Sequence, residues 1–387
     1  MHIITRLILG GAQENTVLTV EGLADYDDFE PILVTGPALG PEGELLSRAR
    51  RNGVRLILID GMRRSINPVA DIRVYRRLCR LIREERPDIV HTHSSKAGIL
   101  GRKAAHRCGV PVIVHTIHGL PFHPYQSRIL NLVYENLERR AAKRSDLIIT
   151  VADTMKEKAL AAGIAGADKF ETIYSGLQAS LFRPIEPEAR RAIRKKFGFG
   201  ETDKVICKIA RLFHLKGHRY LFDAMPAVIR KIPNIRLLLA GDGILRNRFE
   251  QWAKEGGIAD RVFFCGLVSP EEIGKYIGAS DVVVHCSLRE GLARVLPQAL
   301  LCEIPVVSYD IDGAREVVKD GLTGRLITPE TIKPLADAII DILSDKDRAD
   351  AMGRNGRKVC EKMFDHKKMV SKIAAAYRRL LVKKGAG

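Results

Sequence analysis

Short runs of β-branched and aliphatic residues recur along the chain, each followed by a segment whose apolar positions repeat at helical spacing. In the first half the runs are His2 to Leu9, Pro31 to Thr35, Val54 to Ile59, Asp88 to His93, Pro111 to Ile117 and Asp146 to Val151. After a proline-containing stretch from Phe182 to Pro187 the rhythm restarts at Lys204 to Ala210. It continues through Ile235 to Ala240, Arg261 to Cys265, Asp281 to His285, Pro305 to Tyr309 and Gly324 to Ile327. Apolar runs without polar alternation, separated by helices, are the pattern of parallel sheets covered on both faces. The fold class predicted is therefore α/β, with two doubly wound Rossmann-like domains over residues 1–180 and 188–364. A last helix, within 365–387, carries Met369, Ile373, Ala376, Tyr377, Leu380 and Leu381 on one side. It follows the completed second sheet, so it is expected to pack back towards the N-terminal domain.

Composition narrows the class. At about 150 residues per domain, 387 residues make two or three domains. An apolar fraction of 46% and a charged fraction of 28% exclude disordered, collagenous and coiled-coil chains. No apolar stretch approaches the roughly 18 residues that cross a bilayer. The opening MHIITRLILGGA suits a buried strand and turn better than a secretory signal. The seven cysteines are scattered and never spaced as CxxC, which suits a reducing cytoplasm.

A net charge of +17 raises the question of a polyanionic partner, but the excess is local. Residues 1–60 hold five arginines against nine acids, whereas residues 63–144 hold seventeen Lys and Arg against six acids. Within that stretch a helix from about Ala70 to Glu85 sets Arg73, Arg76, Arg77, Arg80 and Arg83 in one cationic stripe. Ile72, Tyr75, Leu78, Cys79 and Ile82 form the face expected against the sheet. Leu120 to Tyr125 leads into Ile129, Leu130, Leu132, Val133 and Tyr134, and then into Arg139, Arg140, Lys143 and Arg144. Apolar residues beside such cations favour an anionic membrane surface; the plainer alternative is a solvated helix face. Nucleic acid is not expected, since no binding module is recognisable and aromatics make up only 6%.

Ligands of doubly wound sheets bind beyond the carboxyl ends of the strands. The first strand ends in Gly10-Gly11-Ala12, where glycines permit close backbone approach and a helix start offers N–H groups to a phosphate. No GxGxxG fingerprint follows, which counts against a dinucleotide oxidoreductase. In the second half, Arg211 and Lys216 lie on a loop entering a helix, a place where two cations can clamp a departing diphosphate. Ordinary surface charge is the competing explanation. The turn Ala240-Gly241-Asp242-Gly243 follows the next strand. Later, Leu288-Arg289-Glu290-Gly291-Leu292 joins a strand to a helix expected to start near Gly291. There a carboxylate accepts sugar hydroxyls while the N–H groups of Gly291 and Leu292 face a phosphate. A helix-start acid favoured by the dipole is the alternative for Glu290.

Together with Cys302-Glu303-Ile304-Pro305-Val306-Val307, these elements resemble the donor half of glycosyltransferase family 4, retaining enzymes of the B-type two-Rossmann fold. Gly10-Gly11, the segment His91 to Gly98 and His115-Thr116-Ile117-His118-Gly119 resemble the other half, so the likeness spans nearly the whole chain. It implies two domains facing a central cleft, a nucleotide-sugar donor on the second, an acceptor on the first, and no metal or other cofactor. By the same resemblance Arg211 and Lys216 stabilise the leaving diphosphate, Glu290 orients the sugar, and His118 lies against it, with His93 and Lys96 facing the cleft. The family's second glutamate, eight positions after Glu290, is here Gln298, which still reaches a ribose but without charge-assisted strength.

His91, His93, His115 and His118 end two strands. A metal cluster is not expected, because no carboxylate or cysteine accompanies them at ligand spacing and alternate strand positions are taken to face opposite ways. His91 and His115 are read as structural. The function expected is a cytoplasmic hexosyl- or N-acetylhexosaminyltransferase acting on a lipid-linked saccharide at the inner membrane face. The rivals are a sugar-nucleotide epimerase, a phosphorylase, which would require a pyridoxal-phosphate lysine with no evident motif here, and a non-catalytic polyanion- or membrane-binding protein.

Overall fold

The computed structural model describes residues 1–39 and 43–385, so the last two residues of the predicted 365–387 segment lie outside it. The chain divides into two units, one comprising Met1–Gly176 with His366–Gly387, the other Leu177–Asp365. Both are parallel α/β sheets, as the uninterrupted apolar runs predict.

The first sheet contains β1 (His2–Arg6), β2 (Ile32–Gly36), β3 (Arg55–Leu58), β4 (Ile89–His93), β5 (Val112–Ile117), β6 (Leu147–Thr150) and β7 (Phe170–Thr172) in the order β3-β2-β1-β4-β5-β6-β7. The edge strand β7 is a difference from the sequence prediction: three residues are too few to show an apolar run. The helices between the strands are α1 (Gly11–Leu23), α2 (Leu46–Arg51), α3 (Pro68–Glu85), α4 (Ser95–Arg107) and α5 (Arg128–Ala142), with α6 (Asp153–Ala161) between β6 and β7.

Helix α3 shows how local sequence sets these boundaries. The Asn67 side chain accepts from the Ala70 N–H, and Pro68 occupies the first turn. At the other end Arg86 adopts a left-handed conformation (φ 45°) and Pro87 stops the helix. The buried side chains are Val74, Leu78, Cys79, Leu81 and Ile82, whereas Ile72, predicted to face the sheet, is 52% exposed. The apolar face is rotated because Val74 and Leu81, not Ile72, complete the 3.6-residue stripe with Leu78 and Ile82.

The second sheet contains β8 (Lys204–Ile209), β9 (Ile235–Ala240), β10 (Val262–Gly266), β11 (Val282–His285), β12 (Val306–Tyr309) and β13 (Gly324–Ile327), ordered β10-β9-β8-β11-β12-β13. Its helices are α7 (Pro187–Lys196), α8 (His218–Lys231), α9 (Arg246–Glu255), α10 (Ile273–Gly278), α11 (Val295–Leu301), α12 (Ala314–Val317), α13 (Lys333–Ser344) and α14 (Lys346–Met363). The unit begins at Leu177, earlier than the predicted 188. The Leu177 N–H bonds the Phe364 carbonyl at 2.6 Å, and Phe182 is buried.

The final helix, α15 (His366–Lys384), belongs to the first unit. Its Met369, Val370, Ile373, Ala374, Ala376, Tyr377 and Leu380 pack with Val112, Val114 and Ile149 of the sheet and with Leu18 and Leu23 of α1. Together α1 and α15 cover one face of the first sheet, and α3 and α4 cover the other through Val74, Leu78, Ile82, Ala97 and Ala104.

Candidate active site

In the second unit the candidate residues sit at the carboxyl ends of β8, β9 and β11. Two glycines hold these loops together. A Cβ on Gly217 (φ +68°) would fall 1.7 Å from the Cys286 carbonyl oxygen, and one on Gly241 (φ +135°) would fall 2.2 Å from that of Ala210. Only glycine lets α8 begin against the end of β11 and the β9 turn pack on the Arg211 loop. Lys216, just before α8, then reaches Glu290 beyond β11: Nζ donates to Oε1 at 2.5 Å. These side chains keep 18% and 22% of their surface exposed, so the pair is open on one side.

Glu290 is held from behind. Its backbone N–H bonds the Asp312 carboxylate at 2.6 Å, and His285 Nε2 lies 3.6 Å from Oε1. Burial alone would raise the Glu290 pKa, but the Lys216 ammonium and His285 overcome it and hold the carboxyl far below its ordinary range. Burial pushes the His285 pKa down, against the pull of Glu290, and Ser308 Oγ pairs with its Nδ1 at 3.0 Å. Arg211 lies over the Phe213 ring, 5.5 Å from its centroid. Gln298 sits on α11, 8% exposed.

Neither His285 nor Asp312 was singled out from sequence. His285 ends a strand five residues before Glu290, a signal that was present; Asp312 is brought up only by the fold.

Gly291 and Leu292 correct the sequence reading. They lie in a bend, and α11 begins only at Val295. Pro297 has no N–H to donate to a preceding turn, and with the start at Val295 it falls in the first turn, where that loss costs least. The N–H groups of Gly291 and Leu292 therefore do not belong to a helix terminus.

In the first unit Gly10 precedes α1 with φ 179°, an extended backbone that any residue adopts, and Gly11 is the exposed first residue of that helix. His118 follows β5, half-buried. His93 was expected to face a cleft, yet it is 1% exposed and both its ring nitrogens are engaged: Nδ1 by His118 Nε2 and Nε2 by His2 Nδ1, each at 3.1 Å. It stands behind His118. Lys96 is likewise taken up internally, donating to Asp71 of α3 at 2.7 Å and to the Ser65 carbonyl. His115 pairs with Thr92 on the opposite face of the sheet.

The histidine geometry also corrects the strand argument. His91 and His93 are two residues apart and share a face, and β1 brings His2 beside His91 in register. One nitrogen from each of His2, His91 and His93 lies within 4.8 Å of the others, all buried.

The arginine stripe is exposed along α3. Arg73, Arg76, Arg80 and Arg83 make no side-chain hydrogen bond or ion pair among the described residues, and Arg77 approaches only Glu84, at 3.9 Å. Near them Ile66, Val69 and Ile72 are exposed, as are Ile129, Leu132 and Val133 of α5. Among the described residues no helix is long and apolar enough to cross a membrane.

Comparison with known proteins places these elements in context. Residues 10–176 match the model described as a glycosyl transferase 4-like domain, and residues 189–359 match that of glycosyl transferases group 1. The Escherichia coli UDP-Gal:alpha-D-GlcNAc-diphosphoundecaprenol alpha-1,3-galactosyltransferase is 29% identical over 386 residues, 99% of this chain and 97% of that protein. The putative glycosyltransferase EpsD of Bacillus subtilis is 30% identical over 321 residues, 82% of this chain and 83% of EpsD. Among solved structures, Anabaena HepE in complex with UDP-glucose superposes with a TM-score of 0.84 at 22% identity, covering 98% of this chain and all of that one. This last likeness bears on the fold.

Proposed function

Because the chain belongs to glycosyltransferase family 4, we propose that it moves a hexosyl or N-acetylhexosaminyl group from a nucleotide sugar to a lipid-linked saccharide, with retention of configuration. The second unit is assigned the donor and the first the acceptor. The observation that carries this reading is the Lys216–Glu290 pair beyond the strand ends, a cation and an anion side by side and open on one side.

A nucleoside diphosphate gains negative charge as it departs, and Arg211 with Lys216 supplies fixed positive charge where that happens. No metal ion is assigned to this role. Glu290, kept ionised, accepts hydrogen bonds from sugar hydroxyls, and the Gln298 amide both donates to and accepts from the ribose. His118 is assigned to the transferring sugar, where a ring-nitrogen lone pair steadies the developing oxocarbenium ion. The acceptor oxygen attacks the anomeric carbon on the face the diphosphate leaves. Its proton passes to the departing phosphate oxygen.

The acceptor class rests on two supports. The E. coli relative is named for a diphosphoundecaprenol-linked acceptor, and the first unit exposes Arg73, Arg76, Arg80 and Arg83, without ion-pair partners among the described residues, beside aliphatic side chains. We assign that surface to an anionic membrane on the cytoplasmic side.

The test is a panel of UDP- and GDP-sugars with and without a diphospholipid-linked monosaccharide. Nucleoside diphosphate released only with the acceptor, together with a product one sugar larger, is expected. Acceptor-independent conversion of the donor to another sugar nucleotide would indicate an epimerase and overturn the reading.

A further inference from the structure

The face of the first sheet covered by α15 holds a continuous chain of hydrogen bonds that the proposed transfer does not use. It starts at His118, whose Nε2 is 3.1 Å from His93 Nδ1. His93 Nε2 is 3.1 Å from His2 Nδ1, and His2 Nε2 is 3.4 Å from the Tyr377 hydroxyl. Tyr377 in turn meets His91 Nδ1 at 2.5 Å, and His91 Nε2 meets Thr116 Oγ1 at 2.7 Å. Four side chains from two strands and one helix thus stand in series between His118 and Thr116.

We propose that His2, His91, His93 and Tyr377 are positioning residues forming a buried relay that fixes which ring nitrogen of His118 carries its proton. Its relevance to catalysis rests on the assignment of His118 above.

The coupling follows from proton counting. A neutral imidazole has one N–H and one bare nitrogen, so each link holds a single proton, and choosing its owner at one link dictates the owner at the next. Two arrangements use every proton of the chain; a third, in which both imidazoles donate to the Tyr377 oxygen, takes the buried phenol proton out of the chain and is disfavoured. In one of the two, protons point from Thr116 towards His118, leaving Nε2 of His118 bare and placing its proton on Nδ1. In the other, every bond reverses: His118 Nε2 donates to His93, and Nδ1 keeps a lone pair. Only the second offers a lone pair beyond the relay to an oxocarbenium ion. Passage between the two requires every link to switch, including the phenol of Tyr377.

The surroundings keep the chain neutral. His2, His91 and His93 are buried, and burial holds each pKa well below the ordinary histidine value, while burial raises that of Tyr377. A shared cation is the competing use of His2, His91 and His93. Here both ring nitrogens of all three are already engaged in hydrogen bonds, and the cluster holds no carboxylate or thiolate to offset a divalent charge.

The test labels histidine with 15N in the full chain and reads each ring nitrogen by long-range proton–nitrogen correlation. In the native protein His118, His93 and His2 should each show one neutral tautomer. Tyr377→Phe, which deletes the central link and keeps the ring, should move the His118 nitrogen shifts towards a tautomer mixture although the two residues do not touch. Thr116→Val, a milder change at the far end, provides the same reading if Tyr377→Phe fails to fold. With donor and acceptor, kcat should fall on the order of tenfold with donor KM unchanged, the scale of outer partners of a functional histidine. Unchanged His118 shifts in the folded variants overturn the relay, as does stoichiometric zinc that alters the His2 and His93 signals on chelation. Shifted signals without any change in kcat support the relay and overturn the role assigned to His118.

Discussion

Lys216 and Glu290 each make the other tolerable near the end of β11, and the same mutual dependence gives them distinct mutational signatures. Lys216→Ala and Arg211→Ala should each cost about 2 to 4 kcal/mol of transition-state stabilisation, read as kcat, with the circular dichroism of the fold unchanged. Near-native rates in both would remove the diphosphate role. Glu290→Gln should be severely impaired, because the sugar loses its charged acceptor and Lys216 loses its partner. Gln298→Glu should hold donor affinity or raise it by isothermal titration; loss of binding would mean that Gln298 does not meet the ribose. The identities of these residues were legible in the sequence. What was hidden at this scale was their company: Asp312 lies 22 positions from Glu290, and His2 lies 91 from His93. No local spacing reports such pairs.

Among the elements, α15 closes one face of the first sheet together with α1. It lies against α1 so closely that a Cβ on Gly22 would fall 2.8 Å from Val370 Cγ2. Gly22→Ala gains about 1 kcal/mol of helix propensity but overpacks this contact at a cost of about 1 to 3 kcal/mol, so a net loss is expected. Val370→Ala opens a small cavity that the new methyl partly fills. The double variant should therefore be less destabilised, in urea unfolding, than the sum of the two. Strict additivity would show that α1 and α15 are not in contact there. The apolar stripe of α15 was readable from its 3.6-residue spacing, whereas the rotation of α3 that exposes Ile72 was not: adjacent positions compete for the same face, and the neighbouring helix decides between them.

For the whole molecule, six buried histidines dominate the pH response: His2, His91, His93, His115, His218 and His285. Burial depresses each below its ordinary pKa of 6.5. Below pH 6.5 the unfolded chain takes up protons that the folded one refuses, so stability is fully present above that pH and declines beneath it. Each histidine contributes up to about 1.4 kcal/mol per pH unit. Thermal midpoints should fall steadily from pH 7 to pH 5, and His91→Asn should flatten the slope; a pH-independent midpoint would contradict the burial. The arginine surface of α3 should bring the protein down with anionic but not neutral liposomes, released by salt and weakened when Arg73, Arg76, Arg77 and Arg80 are changed together to Gln. Equal partitioning would mark it as a solvated face.

At this scale the sequence by itself determined two parallel sheets, because strands buried on both faces need uninterrupted β-branched runs, and it determined the order of the strand-end motifs that define the family. It also determined the cations and the carboxylate assigned to the donor, since their chemistry is carried by residue type. Tertiary structure decided the rest. The three-residue β7 exists only because β6 offers it an edge, and the delayed start of α11 removes Gly291 and Leu292 from a helix terminus. His93 faces inward because β1 and α15 close over it, and the relay behind His118 arises where the first strand, the fourth and fifth strands and the last helix meet. Such contacts join residues remote in sequence, and packing alone selects them.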